Sequence, residues 1–295
     1  MLDSFTGYHP LVNLIYFAMV IVFSMLISHP AAQVISLFCA LIYVFGVKGG
    51  RGSALLKLCL PAVALTALFN PLFNHEGATV LFYFEGGNPL TLESILYGLS
   101  SGVMLVTVLT WFSSFSRVMT SDKFIYLFGR IMPSLSLVLS MSLRFVPRFI
   151  RQTQMVAEAQ KCIGRDISKG SLKQRSKIAV GVLSATLTWA LENAMDTADS
   201  MKSRGYGLKG RTAYNIYSMD ARDLSVLIWL GFCGLFVSAG YVCGTFDFGY
   251  FPQLSTRPFD VSSVYFYVIY FGLCITPMAL NAGEELKWKT IYSKM

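Results

Sequence analysis

Six stretches of the chain are apolar and free of charge: residues 11–28, 31–47, 58–73, 94–116, 224–246 and 261–280. Most have the length that crosses a bilayer, roughly 17–25 residues of helix, and the third is short. Lipid offers the backbone no hydrogen-bond partners, so each run is predicted to be a helix. Residues 117–222 follow a different pattern, with charges threaded through apolar positions at helical spacing. A first piece opens at Thr120 or Ser121, a good N-cap, and stops before Pro133. A second begins at Pro133, and its apolar part, 134–143, is too short to span. Pro147 is expected to kink or restart it, and it continues through Met155, Val156, Ala159 and Ile163 to a glycine stop at Gly164. A polar connector, 166–177, leads to a third piece starting near Ile178 and ending at Gly205. There Leu187, Leu191, Ala194, Ala198 and Met201 share one face, and Ala190, Ala194 and Ala198 would permit close helix crossing.

Composition agrees with lipid as the main solvent. Hydrophobic residues make up 54% and charged residues 14% of the 295, against about 25% charged in a soluble domain. Mean hydropathy is +0.56. Lys and Arg fix the expected orientation. Seventeen of the 24 lie in 117–222, Lys48, Arg51 and Lys57 follow the second run, and Lys287, Lys289 and Lys294 close the chain. With both termini cytoplasmic, only Arg257 falls outside. The expected fold class is an all-α integral membrane protein with about six transmembrane helices plus a cytoplasmic pair of coupling helices. It divides into an N-terminal four-helix membrane region (1–116), a cytoplasmic or interfacial region (117–222), and a C-terminal two-helix membrane region with a basic tail (223–295). No secretory signal is evident in residues 1–10. The six cysteines are scattered and form no CxxC pair, which reads as packing. His9, His29 and His75 lie far apart, so no metal site is expected.

The charged segment also contains a repeat. Ala157-Glu158-Ala159-Gln160-Lys161-Cys162-Ile163-Gly164 returns 41 residues later as Ala198-Asp199-Ser200-Met201-Lys202-Ser203-Arg204-Gly205. Each copy ends a predicted helix at glycine, and a duplicated helix end suggests one subunit touching two similar partners. The copies differ at Ile163 and Arg204. A cation in a last helical turn interacts favourably with the helix dipole, which is the plain structural reading of Arg204. The functional reading is a permanently charged, forked side chain entering an acidic groove. Ile163 reads most simply as the apolar contact of its own tip, and Arg165 lies beyond the turn.

These residues resemble the transmembrane T component of energy-coupling factor transporters, the vitamin and metal importers of bacteria and archaea. In that family two helices end in Ala-Arg-Gly-like triplets. Residues 194–207 are similar to the second, and 159–164 to the first with Cys-Ile-Gly in place of Ala-Arg-Gly. Leu143-Arg144-Phe145-Val146-Pro147, His9-Pro10 and Thr120-Ser121-Asp122 also match family elements. The resemblance implies a non-catalytic subunit in the cell membrane. Its partners would be two cytoplasmic ATP-binding subunits and a membrane protein that captures the substrate. ATP-driven motion of the ATPases would pass through the coupling helices to that protein. It implies ATPase contacts at Ser203, Arg204 and Gly205, and at Cys162, Ile163 and Gly164, with Arg165, Arg144 and Pro147 in support. ATP would be used by the partners and no cofactor bound here. Ile163 implies that one contact lacks its electrostatic half and that the two ATPases are unlike. A dedicated cobalt- or nickel-type module is the alternative within the family.

Other classes fit less well. The string Gly205-Tyr206-Gly207-Leu208-Lys209-Gly210-Arg211-Thr212 has Arg where a phosphate loop needs Lys, and it follows a helix. An integral membrane enzyme would draw on His75, Glu76, Glu85 or Arg144, but no nucleophile–base pair or metal spacing appears. A lipid- or nucleic-acid-binding scaffold would need one open basic surface rather than charges interleaved with apolar stripes. Gly98 and Gly102, four apart in the fourth run, form a candidate helix-packing face.

Overall fold

A computed structural model describes residues 4–48, 52–83, 89–208, 217–256 and 261–292. Arg51, Glu85, residues 209–212 and Arg257 lie outside the described residues. The chain forms two compact units. Residues 1–121 and 217–295 make the first, and 122–216 the second.

The first unit carries a short 3-10 turn (Ser4–Gly7) and helices α1 (Pro10–Leu26), α2 (Pro30–Lys48), α3 (Gly52–Phe73), α4 (Leu92–Val118), α8 (Ala221–Val242) and α9 (Val261–Tyr292). These correspond to the six apolar runs. Two small antiparallel pairs that the apolar pattern did not signal sit in the connections. β1 (Val80–Tyr83) pairs with β2 (Pro89–Thr91), and β3 (Phe248–Gly249) with β4 (Ser255–Thr256). The Ala78 amide donates to the Pro252 carbonyl at 3.0 Å, joining the two connections. Helices α4, α8 and α9 are long and apolar enough to cross a membrane, while the apolar parts of α1, α2 and α3 are shorter.

Aromatic side chains fill the core of this unit. Phe5, Tyr16, Phe17 and Trp111 meet edge to face, a preferred ring geometry. Buried polar groups find partners here: Trp111 Nε1 donates to Ser36 Oγ (3.0 Å), Ser36 and Ser24 share a bond (2.8 Å), and Tyr16 OH donates to the Cys274 carbonyl (3.1 Å). In a lipid setting this satisfaction matters more than in water. The glycines of α4 face α3. A Cβ on Gly98 would stand 2.9 Å from Asn70 Cβ and 3.0 Å from the Thr66 carbonyl oxygen, and one on Gly102 would overlap the Thr66 hydroxyl. Gly98 and Gly102 are thus the close-approach face between two helices of the same chain.

His9-Pro10 has a structural role. His9 Nδ1 accepts from the Leu11 amide and caps α1, while the His9 amide donates to Asp223 Oδ1 at 3.0 Å. Asp223 in turn closes the capping box of α8, accepting from the Asp220 amide at 3.0 Å. Nearby, the Phe5 amide donates to Asn281 Oδ1 (2.9 Å), and Arg222 pairs with Glu284 (3.9 Å). The start of α1, the start of α8 and the later part of α9 therefore meet at one end of the bundle.

The second unit holds α5 (Ser121–Ile131), α6 (Pro133–Cys162) and α7 (Leu172–Ser203). Ser136 Oγ donates to the Ile125 carbonyl at 2.9 Å, tying α6 to α5. Two expectations need correction. First, α7 begins at Leu172, not near Ile178, because Ser171 caps it by accepting from the Gln174 amide. The basic residues Lys173, Arg175 and Lys177 are therefore helical. Second, the stripe expected to share one face of α7 is split, with Leu187, Leu191, Ala194 and Ala198 exposed and Ala190 and Met201 half-buried. Leu187 and Leu191 are 57% and 61% exposed. The buried side carries Val182 and Thr186, with Trp189, Asn193 and Thr197 half-buried. Thr186 and Thr197 bond the carbonyls of Val182 and Asn193, one turn back, so their hydroxyls enter the contact already satisfied. Polarity in the sequence hid this face.

Helix α7 also meets the length and hydropathy of a membrane span. Its charge-free part is only residues 178–191, between Lys177 and Glu192. At about 1.5 Å per residue that is roughly 21 Å, short of a hydrocarbon core of about 30 Å.

Candidate functional site: two helix tips

The repeated sequence folds into the same device twice. At the end of α6 the Gly164 amide donates to the Lys161 carbonyl (3.0 Å) and the Arg165 amide to the Gln160 carbonyl (3.0 Å). At the end of α7 the Gly205 amide donates to the Lys202 carbonyl (3.0 Å) and the Tyr206 amide to the Met201 carbonyl (3.0 Å). This is the Schellman pattern, which satisfies carbonyls that a helix end otherwise leaves open. It requires a residue in the left-handed region just past the cap. Gly164 has φ +84° and Gly205 φ +81°, values that cost little only for glycine.

Ile163 and Arg204 occupy the equivalent cap position, with φ, ψ of −90°, 9° and −83°, 7°. Both are exposed, Ile163 at 74%. Ile163 is therefore not the apolar contact of its own tip: the turn leaves it projecting into solvent. Among the described residues no carboxylate pairs with Arg204, and the neighbouring Lys202 takes Asp199 at 3.6 Å. Ser203 Oγ is satisfied by the Ser200 carbonyl (2.8 Å), Cys162 is an exposed free thiol, and Arg165 is exposed just beyond the turn.

The connector between the helices is held by polar contacts. Asp166 Oδ1 accepts from the Ser168 amide (3.0 Å) and hydroxyl (2.8 Å), and Arg175 Nε donates to the Ile167 carbonyl (2.7 Å). The Ser168 bonds, helped by Lys161 and Lys169, hold the Asp166 carboxyl below its usual range.

Helices α6 and α7 meet near their middles. The Arg148 guanidinium lies over the Trp189 ring at 5.6 Å, a cation–π contact between residues central to each helix. Pro147 lies inside α6, which runs on through it rather than restarting. Arg144 and Pro147 are exposed beside this crossing. They stand about 28 Å and 24 Å of helix back from Ile163, so they are not part of the tip.

One consequence of the geometry was missed from sequence. Only residues 163–171 join the two helices, so the first tip lies at the end where α7 begins. The second tip lies at its far end, 32 residues on, about 48 Å at 1.5 Å per residue. Two helices of some thirty residues with a short connector can end only at opposite ends, and that length was readable once Ser171 was recognised as the cap.

Among the described residues no group of three or more His, Cys, Asp or Glu side chains is arranged to hold a metal ion.

The cobalt transport protein family, CbiQ, matches residues 5–214, more than half of the chain and both tips. The chain belongs to this family. Similar curated proteins are named energy-coupling factor transporter transmembrane protein EcfT. The one from Bacillus subtilis is 29% identical over 189 residues, 59% of this chain and 69% of that protein. That of Exiguobacterium sibiricum is 31% identical over 195 residues, 61% of this chain and 72% of its own length. That of Lactobacillus helveticus is 36% identical over 96 residues, 32% of this chain and 35% of its own length. The chain is an all-α membrane protein of the energy-coupling factor T-component kind.

Proposed function

We propose that this chain is the coupling subunit of an energy-coupling factor importer, linking two cytoplasmic ATP-binding subunits to a membrane protein that captures a vitamin or metal ion. The observation that carries the reading is the pair of equivalent caps at opposite ends of α6 and α7, each presenting one exposed side chain with no use inside the described chain. The same bonds also close α8, where the Gly244 amide donates to the Tyr241 carbonyl and the Thr245 amide to the Gly240 carbonyl, so the bonds alone only stop a helix; what pairs these two tips is the repeated sequence around them. Arg204 enters an acidic groove of one ATP-binding subunit and Ile163 a groove of the other. Closure of the ATPase pair on ATP moves the tips, and the rigid α6–α7 crossing carries that motion to the substrate-binding protein. ATP is bound and hydrolysed by the partners. Both termini face the cytoplasm, as the distribution of Lys and Arg favours.

A dedicated cobalt- or nickel-type module is the second reading, favoured by the description of the matching family. The two readings differ in the substrate-binding protein, not in the tips.

The test is Arg204→Glu in the full chain co-expressed with its ATP-binding subunits. A like charge facing an acidic groove costs several kcal/mol, so retention of one ATPase should fall at least about tenfold and transport-linked ATP hydrolysis should stop. The variant should elute and unfold as the native chain does. Unchanged retention and hydrolysis would remove Arg204 from the interface.

A further inference from the structure

The two ends of the α6–α7 pair differ in charge as well as at the tip residue. At the first end, Lys161, Arg165, Lys169, Lys173, Arg175 and Lys177 are all exposed, against two carboxylates, Glu158 and Asp166. The start of α7 at Leu172 brings three of these cations onto its first two turns. Two large apolar side chains stand among them in solvent, Ile163 at 74% and Leu172 at 82% exposure. At the second end, residues 192–208, Glu192, Asp196 and Asp199 outnumber Lys202 and Arg204. One end is strongly basic with an apolar point, and the other carries mixed charge with a cationic point.

We infer that the first end is built for a partner surface with an apolar socket ringed by carboxylates, a surface that does not fit the second end. This rests on the coupling reading, and it gives the two ATP-binding subunits different chemistry. The socket takes Ile163 and Leu172, and burial of two such side chains supplies the attraction that an arginine–carboxylate pair supplies at the other tip. The acidic ring meets the six cations, steering the partner and excluding the wrong one by like-charge repulsion. The second partner needs carboxylates only where Arg204 enters, since a wide acidic ring would face Glu192, Asp196 and Asp199.

An anionic bilayer would also attract a basic end with exposed leucine and isoleucine. A protein socket is favoured because the first tip repeats the sequence that ends at Arg204, and two copies of one helix end fit two related protein surfaces better than one protein and one lipid surface.

The test places the full chain in neutral-lipid nanodiscs with its ATP-binding subunits and measures retention of each against salt. Charge reversal at both Lys169→Glu and Lys173→Glu should weaken one subunit by about tenfold or more at low salt and flatten its salt dependence. Leu172→Ala should weaken the same subunit at every salt concentration. Arg204→Glu should release the other. Hydrogen exchange of residues 163–173 should slow when the ATP-binding subunits are added and stay unchanged when anionic lipid alone replaces neutral lipid. Equal response of both subunits to each variant, retention indifferent to the charge reversal, or protection by anionic lipid alone would each overturn the inference. If Arg204→Glu still releases a subunit in those cases, the coupling reading stands. If no tip variant releases either, that reading falls first.

Discussion

Each helix tip depends on a single glycine. Its left-handed backbone lets the next amide reach back to the helix, and this fixes where the preceding side chain points. A Cβ on Gly164 would meet nothing within 4 Å, so Gly164→Ala tests conformation without a clash. The strain should be about 1–2 kcal/mol. The expected outcome is local: faster hydrogen exchange at the Gly164 and Arg165 amides, weaker ATPase retention at that end, and an unchanged membrane unit. Exchange rates equal to those of the native chain would show that the cap bonds do not hold the tip. The identities of Ile163, Arg204 and both glycines were legible because the repeat spells them out. That Ile163 stands in solvent was not, since a lone apolar residue at a helix end reads as packing until its exposure is known.

At the scale of elements, the apolar runs located the six long helices of the first unit among the described residues, because lipid leaves the backbone few choices. The small strand pairs were hidden: the β1 and β2 segments are short and alternate poorly, and β1 is exposed at every position. The face of α7 was misread for a physical reason. Threonine hydroxyls satisfied on their own helix can be buried, while Leu187 and Leu191 stay exposed. The glycines of α4 show the opposite case, where small residues in an apolar run did mark a close approach. Gly98→Leu should force α3 and α4 apart, since even a Cβ there stands 2.9 Å from Asn70 Cβ. Overpacking of this kind costs about 1–3 kcal/mol. The protein in detergent should unfold at a lower temperature while its tips bind ATPases as before when folded. An unchanged unfolding temperature would mean the two helices are not in contact at Gly98.

For the whole molecule, the division of labour follows from two kinds of surface. The membrane unit pairs many of its buried polar groups internally, through contacts such as Trp111–Ser36 and Tyr16–Cys274, while Asn70 Oδ1 and His75 Nδ1 are buried without a partner. The second unit does the reverse, leaving leucines, cations and both tips exposed. The apolar runs and the repeat were enough to locate these two surfaces in the sequence. The separation of the tips by the length of α7 was not, because it needed the true start of that helix. The central claim is that the two tips are docking points for ATP-binding subunits. Its most direct measurement replaces Ile163 and Arg204, one at a time, with a photo-crosslinking amino acid in the assembled complex in membranes. Each position should crosslink to an ATP-binding subunit, and the two positions to different ones. Crosslinks to lipid, to the substrate-binding protein or within the chain itself, at either position, would contradict the account.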